Sequence, residues 1–186
     1  GPLSQVAGHD INYIAMSGAL HALGAEDGPP QPPINLLGDF AGGGMLLALG
    51  VAAAAFERAA SGMGQVLDVA MVDGAALIFT PLFAAVRLGA WGPRGTNLLD
   101  GAAPFYNVYT CADGEHIVVG SIEPQFYALL KALAGLSEAD FGAQNDQSAW
   151  PAMKDKLAAV IRQKTQAQWC AIMEGTDVCF APVLNF

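Results

Sequence analysis

Apolar residues over the first ninety positions recur at helical spacing, and glycine or proline interruptions divide them into segments. From Asp10 to Leu23 the pattern predicts a helix with Ile11, Ile14, Ala15, Gly18 and Ala19 on its close-packed face, stopped at Gly24. Asp27-Gly28-Pro29-Pro30-Gln31-Pro32-Pro33 cannot continue it, because proline lacks the amide donor and fixes φ; the segment reads as a rigid, extended loop. A second helix is expected from about Gly42 to Ala60, with Asp39 as its N-cap. A carboxylate there accepts backbone N–H bonds and faces the positive end of the helix. Ser61-Gly62-Met63-Gly64 ends that helix, and Gln65–Val69 reads as a short strand. Met71–Leu88 is the next apolar helix, bent near Pro81.

The pattern changes after a linker marked by the turn signals Gly92-Pro93-Arg94-Gly95 and Asp100-Gly101. Phe105–Cys111 and His116–Gly120 read as strands joined around Asp113-Gly114, a hairpin signal. Helices follow over Pro124–Leu133, Trp150–Gln163 and Gln166–Glu174, then a strand over Val178–Ala181. Thr165 with Gln168 three residues later forms a capping box. The expected organisation is residues 1–90, a linker over 91–104, and residues 105–186. Asn185-Phe186 closes an apolar strand without a polar tail, and Gly1-Pro2-Leu3 resembles an interior turn. A fragment, a truncated frame and a cleaved product are all open readings of such ends.

At 186 residues and 19.2 kDa the chain is long enough to bury a substantial core. Eight basic residues against seventeen acidic ones give a formal charge of -9. That balance opposes nucleic acid, whose phosphates are gripped by clustered Lys and Arg. Cys111, Cys170 and Cys179 are odd in number and lack metal-ligand spacing, which favours a reduced, cytoplasmic setting over a disulfide framework. No signal peptide is evident. The longest uncharged stretch, Phe40 to Phe56, falls short of a membrane span and reads as a buried helix.

Chemistry concentrates in two segments, Gly8-His9-Asp10-Ile11-Asn12-Tyr13 and Gly38-Asp39-Phe40-Ala41-Gly42-Gly43-Gly44. An imidazole and a carboxylate beside glycine-rich backbone can move a proton or attack an activated acyl group. Each residue also has a structural reading. His9 suits a helix start, Asp39 an N-cap, and Glu123 a first helical turn where an acid meets the helix dipole. Gly42, Gly43 and Gly44 allow either close helix packing or backbone amides that face an anionic oxygen. The spacing matches neither a phosphate loop nor a dinucleotide fingerprint. His21 suits a helix C-terminus, His116 a strand start at the surface, and Cys170 and Cys179 buried thiols. Arg58, Arg87 and Arg94 serve equally as surface residues or as contacts to phosphates.

Residues Ala7–Ala15, Gly38–Gly44, Gly101–Tyr106, Ile122–Tyr127 and Asp177–Val183, in that order, closely resemble the alpha-methylacyl-CoA racemase family. That family lies within the broader family III CoA-transferases, and the likeness covers essentially the whole chain. The resemblance implies an α/β fold: part of a Rossmann-like large domain followed by a smaller α+β domain, in an interlocked homodimer. It implies epimerisation at carbon 2 of 2-methyl-branched acyl-CoA thioesters, with no metal or redox cofactor, CoA being part of the substrate. His9 and Asp39 resemble the two catalytic bases, and Glu123 the small-domain carboxylate that orients the histidine. Gly42, Gly43, Gly44, Asp10 and Tyr13 are expected along the bound thioester, with Asp10, Asn12 and Tyr13 as supports rather than reactants.

Racemisation needs two acid/base groups in complementary protonation states, one on each face of carbon 2. A carboxyl is mostly ionised in water, so proton donation calls for burial or neighbouring charge around it, whereas an imidazole needs less adjustment. The alternatives are CoA transfer, with Asp39 attacking the thioester and carrying the acyl group as a mixed anhydride, and an inert CoA-binding or dimerisation fragment.

Overall fold

The computed structural model describes residues 5–186, so the turn expected at Gly1-Pro2-Leu3 lies outside the described residues. Helices and strands segregate along the chain into two compact units, one ending at Arg94 and the other running from Gly95 to Phe186.

In the first unit, α1 spans Asp10–Met16 and is shorter than the apolar pattern predicts. Gly18 takes a left-handed conformation (φ +84°), which costs glycine little and stops the helix. A single 3₁₀ turn, Ala19–Ala22, follows. The proline-rich loop is held by Arg94, whose guanidinium donates to the carbonyls of His21 (3.0 Å), Ala25 (3.0 Å) and Gly28 (2.5 Å). Arg94 therefore pins this loop with three of its donors.

The second helix begins well before Gly42. Leu36–Met45 forms a π-helix, marked by a bond from the Phe40 N–H to the Asn35 carbonyl five residues back. It continues without interruption into α2, Leu46–Ser61, and ends at Gly62 (φ +74°). Asp39 is accordingly inside the first turn and not the N-cap, which is Asn35. No residue of α2 is buried, which corrects the reading of this stretch as a buried helix. The continuous run Leu36–Ser61 is long and apolar enough, by length and composition alone, to cross a membrane, a test that core helices also pass.

Gln65–Val69 forms no strand, and no strand occurs among the described residues of this unit. A strand exists only through hydrogen bonds to a neighbour, so propensity alone does not make one. The Rossmann-like sheet is thus not seen; the fold is mixed helix and sheet. The apolar helix after it divides into α3, Met71–Ile78, and α4, Thr80–Arg87, at Phe79, with Pro81 in the first turn of α4 where its missing N–H has no consequence.

The second unit is built on a hairpin. β1 (Tyr106–Thr110) pairs antiparallel with β2 (His116–Gly120), and Gly114 (φ +84°) supplies the turn. β3 (Phe180–Pro182) adds to the far side of β2, giving the order β1-β2-β3. Tyr109, Ile117 and Val119 face a core completed by α5 (Pro124–Ala134), α6 (Glu138–Phe141), α7 (Trp150–Ile161) and α8 (Gln166–Met173). Phe105 packs edge-on against both Tyr127 (centroids 5.4 Å apart) and Trp150 (5.7 Å), a favoured aromatic geometry. The Trp150 and Trp169 indole N–H groups, both buried, donate to the carbonyls of Gln144 and Ile161 at 2.8 Å. Cys179, expected as a buried thiol in a strand, is instead exposed, with φ +57° just before β3.

Candidate functional site

His9 is the N-cap of α1 and its side chain is exposed. Its main chain is fixed by Asn12, whose Oδ1 accepts the His9 N–H at 3.0 Å while the Asn12 N–H donates to the His9 carbonyl at 2.9 Å. Tyr13 lies against Gly8: its hydroxyl approaches the Gly8 carbonyl at 3.4 Å, and a Cβ at Gly8 would sit 3.1 Å from the ring. Tyr13 thus acts here as a packing support for the residue preceding His9.

Asp39 lies in the widened π turn with its side chain exposed. Its carboxylate does not collect helix-start amides. Instead Oδ2 accepts from the Asn35 side-chain amide at 3.1 Å, one turn earlier. The Asp39 N–H points elsewhere, donating to Asp10 Oδ2 at 2.7 Å. Asp10 is almost wholly buried (5% exposed), and its Oδ1 has no hydrogen-bond partner among the described residues. The chain neighbour of His9 is therefore bonded directly to the backbone of Asp39, although no hydrogen bond joins the His9 and Asp39 side chains.

The glycines divide by environment. Gly38 is buried against Asp10, and a Cβ there would lie 2.5 Å from Oδ2. Gly42 packs on α3: a Cβ on it would be 2.8 Å from the Ala75 nitrogen, and one on Gly74 would be 1.9 Å from the Gly42 carbonyl oxygen. These positions explain Gly42 by close packing. Gly44 is exposed and Gly43 half-buried, with Met71 beside it. Asn35 and Gly74 are the site residues that sequence reasoning passed over, and Gly38, quoted there only as part of its segment, gains a packing role against Asp10. A glycine inside the apolar run Met71–Ile78 was the available signal for close backbone approach.

Glu123 belongs to the second unit, as the exposed N-cap of α5 ahead of Pro124. Its carbonyl accepts the Tyr127 N–H at 2.9 Å, and its carboxylate makes no cap hydrogen bond, so the acid does not serve as a conventional cap. Among the described residues, no cluster of three or more His, Cys, Asp or Glu side chains is placed to hold a metal. Cys111 is buried, and burial with nearby Asp113 and Glu115 pushes its thiol upward, away from the thiolate form.

Chemically, the first unit offers an exposed imidazole and an exposed carboxylate on two elements tied by a partly buried hydrogen bond. Comparison with known proteins shows the family of the chain. The sequence profile described as CoA-transferase family III matches residues 1–186. The chain is 51% identical to the mouse alpha-methylacyl-CoA racemase, over all of this chain and 49% of that protein. It is 26% identical to the mouse succinyl-CoA:glutarate CoA-transferase, over 98% of this chain and 43% of that protein. Among solved structures, a CaiB/BaiF family protein from Brucella suis shares the fold at a TM-score of 0.76 and 21% identity, covering all of this chain and 50% of that one. The chain spans about half the length of the curated relatives it matches. It belongs to the CoA-transferase family III.

Proposed function

We propose that the protein carrying this chain epimerises carbon 2 of 2-methyl-branched acyl-CoA thioesters, with His9 and Asp39 as the two bases. The observation that carries the reading is the contrast in identity, 51% to a racemase against 26% to a transferase, over nearly the same residues. The exposure of both side chains supports it, since each is open to a substrate.

In this reading the neutral His9 imidazole takes the proton from one face of carbon 2. The C–H electron pair moves into the forming enolate, whose negative charge gathers on the thioester oxygen. A protonated Asp39 then returns its own proton to the opposite face as the enolate collapses. The reverse turnover exchanges the two protonation states. Covering of Asp39 by bound substrate supplies the dry surroundings that a carboxyl needs to carry a proton. Glu123 of a second subunit accepts one imidazole N–H and so fixes the tautomer of His9. Gly43 and Gly44 lie along the thioester, and no metal or redox cofactor takes part. The apolar surface of α2 is covered by the remaining family-length polypeptide and by a second subunit in a homodimer.

The test is deuterium incorporation at carbon 2 of a 2-methylacyl-CoA in heavy water, followed together with epimerisation, using protein made from its complete reading frame. Exchange with epimerisation, lowered by about 10²–10⁴-fold in His9→Ala and Asp39→Ala, is the expected result. Transfer of CoA to a free acid without exchange, with an acyl group trapped on Asp39, would replace this reading by CoA transfer.

A further inference from the structure

We infer that Asp10 is a positioning residue that couples the two proton transfers, holding the Asp39 backbone at a fixed place relative to His9. The inference rests on the two-base reading above and adds a residue that touches neither proton.

Three observations carry it. Asp10 immediately follows His9, so its backbone moves with the imidazole-bearing residue, and α1 starts at it. Its Oδ2 accepts the Asp39 N–H at 2.7 Å across twenty-nine positions, a charge-assisted bond between the start of α1 and the π turn. The approach is tight: Gly38 has no room for a Cβ, which would lie 2.5 Å from Oδ2 and 2.8 Å from Cγ.

The energetics argue that this bond is not incidental. Asp10 is almost wholly buried, and its second oxygen has no partner among the described residues. Burial of this carboxylate is costly, and the bond to the Asp39 N–H, a helix-start donor without an intrahelical partner, offsets that cost only while the two backbones keep this spacing. Among the described residues, the Asp39 carboxylate has as direct support only Asn35, the N-cap of its own helix. Without Asp10, the Asp39 main chain loses its hydrogen bond to α1, and displacements of about 1 Å suffice to lower rates by about 10²-fold. Asp39 would suffer more than His9, whose backbone is separately held by Asn12.

That asymmetry gives a signature. From one carbon-2 epimer His9 removes the proton and Asp39 must deliver the other; from the opposite epimer Asp39 acts first. Loosening Asp39 should leave the first epimer able to ionise and recapture a solvent deuteron from His9 on the same face. Exchange then outruns inversion for that epimer, while the opposite epimer loses both.

The experiment follows exchange and inversion separately from each epimer in heavy water, in protein from the complete reading frame, for Asp10→Ala, Asp10→Asn and Gly38→Ala. Asp10→Ala is expected to slow inversion by about 10²-fold, with KM changed by less than about threefold and the exchange-to-inversion ratio raised from one epimer only. Gly38→Ala, which crowds the same bond, should give the same one-sided ratio. It keeps the test decisive if Asp10→Ala does not fold. Asp10→Asn retains an oxygen for the Asp39 N–H and should restore coupled inversion to within about threefold. Equal loss of exchange and inversion from both epimers, or an unchanged ratio in folded protein, would overturn the inference and leave Asp10 a stability residue. His9→Ala and Asp39→Asn run alongside: if both remain active, the two-base reading fails, whatever Asp10 does.

Discussion

A methyl group added at Gly74 would lie 1.9 Å from the Gly42 carbonyl oxygen, inside any permissible contact, and both atoms belong to helix backbones that cannot step aside. Gly74→Ala should therefore destabilise the protein by about 1–3 kcal/mol or more, since forced overpacking is relieved only by backbone movement. A fall in the urea midpoint reads this, with Gly64→Ala, where a Cβ meets nothing within 4 Å, as the unaffected control. A second residue-scale prediction concerns Tyr127. Burial, and then the charge of Glu138, push its phenol up to about 12, and burial drives Tyr109 upward as well. In the unfolded chain a phenol loses its proton near pH 10, so above that value the unfolded state binds fewer protons than the native one. Stability should be flat through neutral pH and fall between about pH 10 and 12. Tyr127→Phe should flatten that decline while costing about 1 kcal/mol at pH 7, the worth of the 2.9 Å bond from its hydroxyl to the Phe141 carbonyl.

Elements with local causes were legible in the sequence. The hairpin turns at Gly114, the capping box closes through Thr165 and Gln168, and the helix after Met71 breaks beside Pro81, each because the deciding residues lie within a few positions. The Thr165 hydroxyl accepts the Gln168 N–H at 3.3 Å and the Gln168 side chain accepts the Thr165 N–H at 2.9 Å. Thr165→Ala should cost about 1 kcal/mol, read as a lowered thermal midpoint of the second unit. Elements with distant causes were not legible. The π-helix starting at Leu36 has Gly42 lying on Gly74; the glycine run signalled a close approach, but neither its partner nor the π widening is written near Asp39. Gln65–Val69 has the composition of a strand but no ladder, because pairing is a property of a neighbour rather than of the segment. At the site, residue types suited to acid/base chemistry were visible at His9 and Asp39, whereas the bond from Asp39 to Asp10 is a tertiary fact with no trace in spacing.

At the scale of the molecule, the two units differ in how much of their apolar surface is inside. The second unit has its own core around Phe105, Trp150, Leu157 and Trp169, with both indoles hydrogen-bonded. The first buries little: α2 has no buried residue, and Leu49 (66%), Phe56 (80%) and Val66 (94%) stand exposed. Hydrophobic burial drives folding at roughly 25 cal/mol per Å², so a helix apolar on all sides and uncovered lacks its main source of stability. Residues 95–186 expressed alone should consequently unfold in one cooperative transition with dispersed amide spectra, since the core and the capping bonds all lie within them. Residues 1–94 alone should instead bind a hydrophobic dye and exchange the amides of α2 rapidly, because local stability follows buried contacts. In protein from the complete reading frame, protection of α2 should rise as covering polypeptide removes its side chains from water. Equal protection of α2 in the isolated first unit and in the complete protein would show that its apolar residues need no cover, and would remove the argument that this helix belongs to an interface.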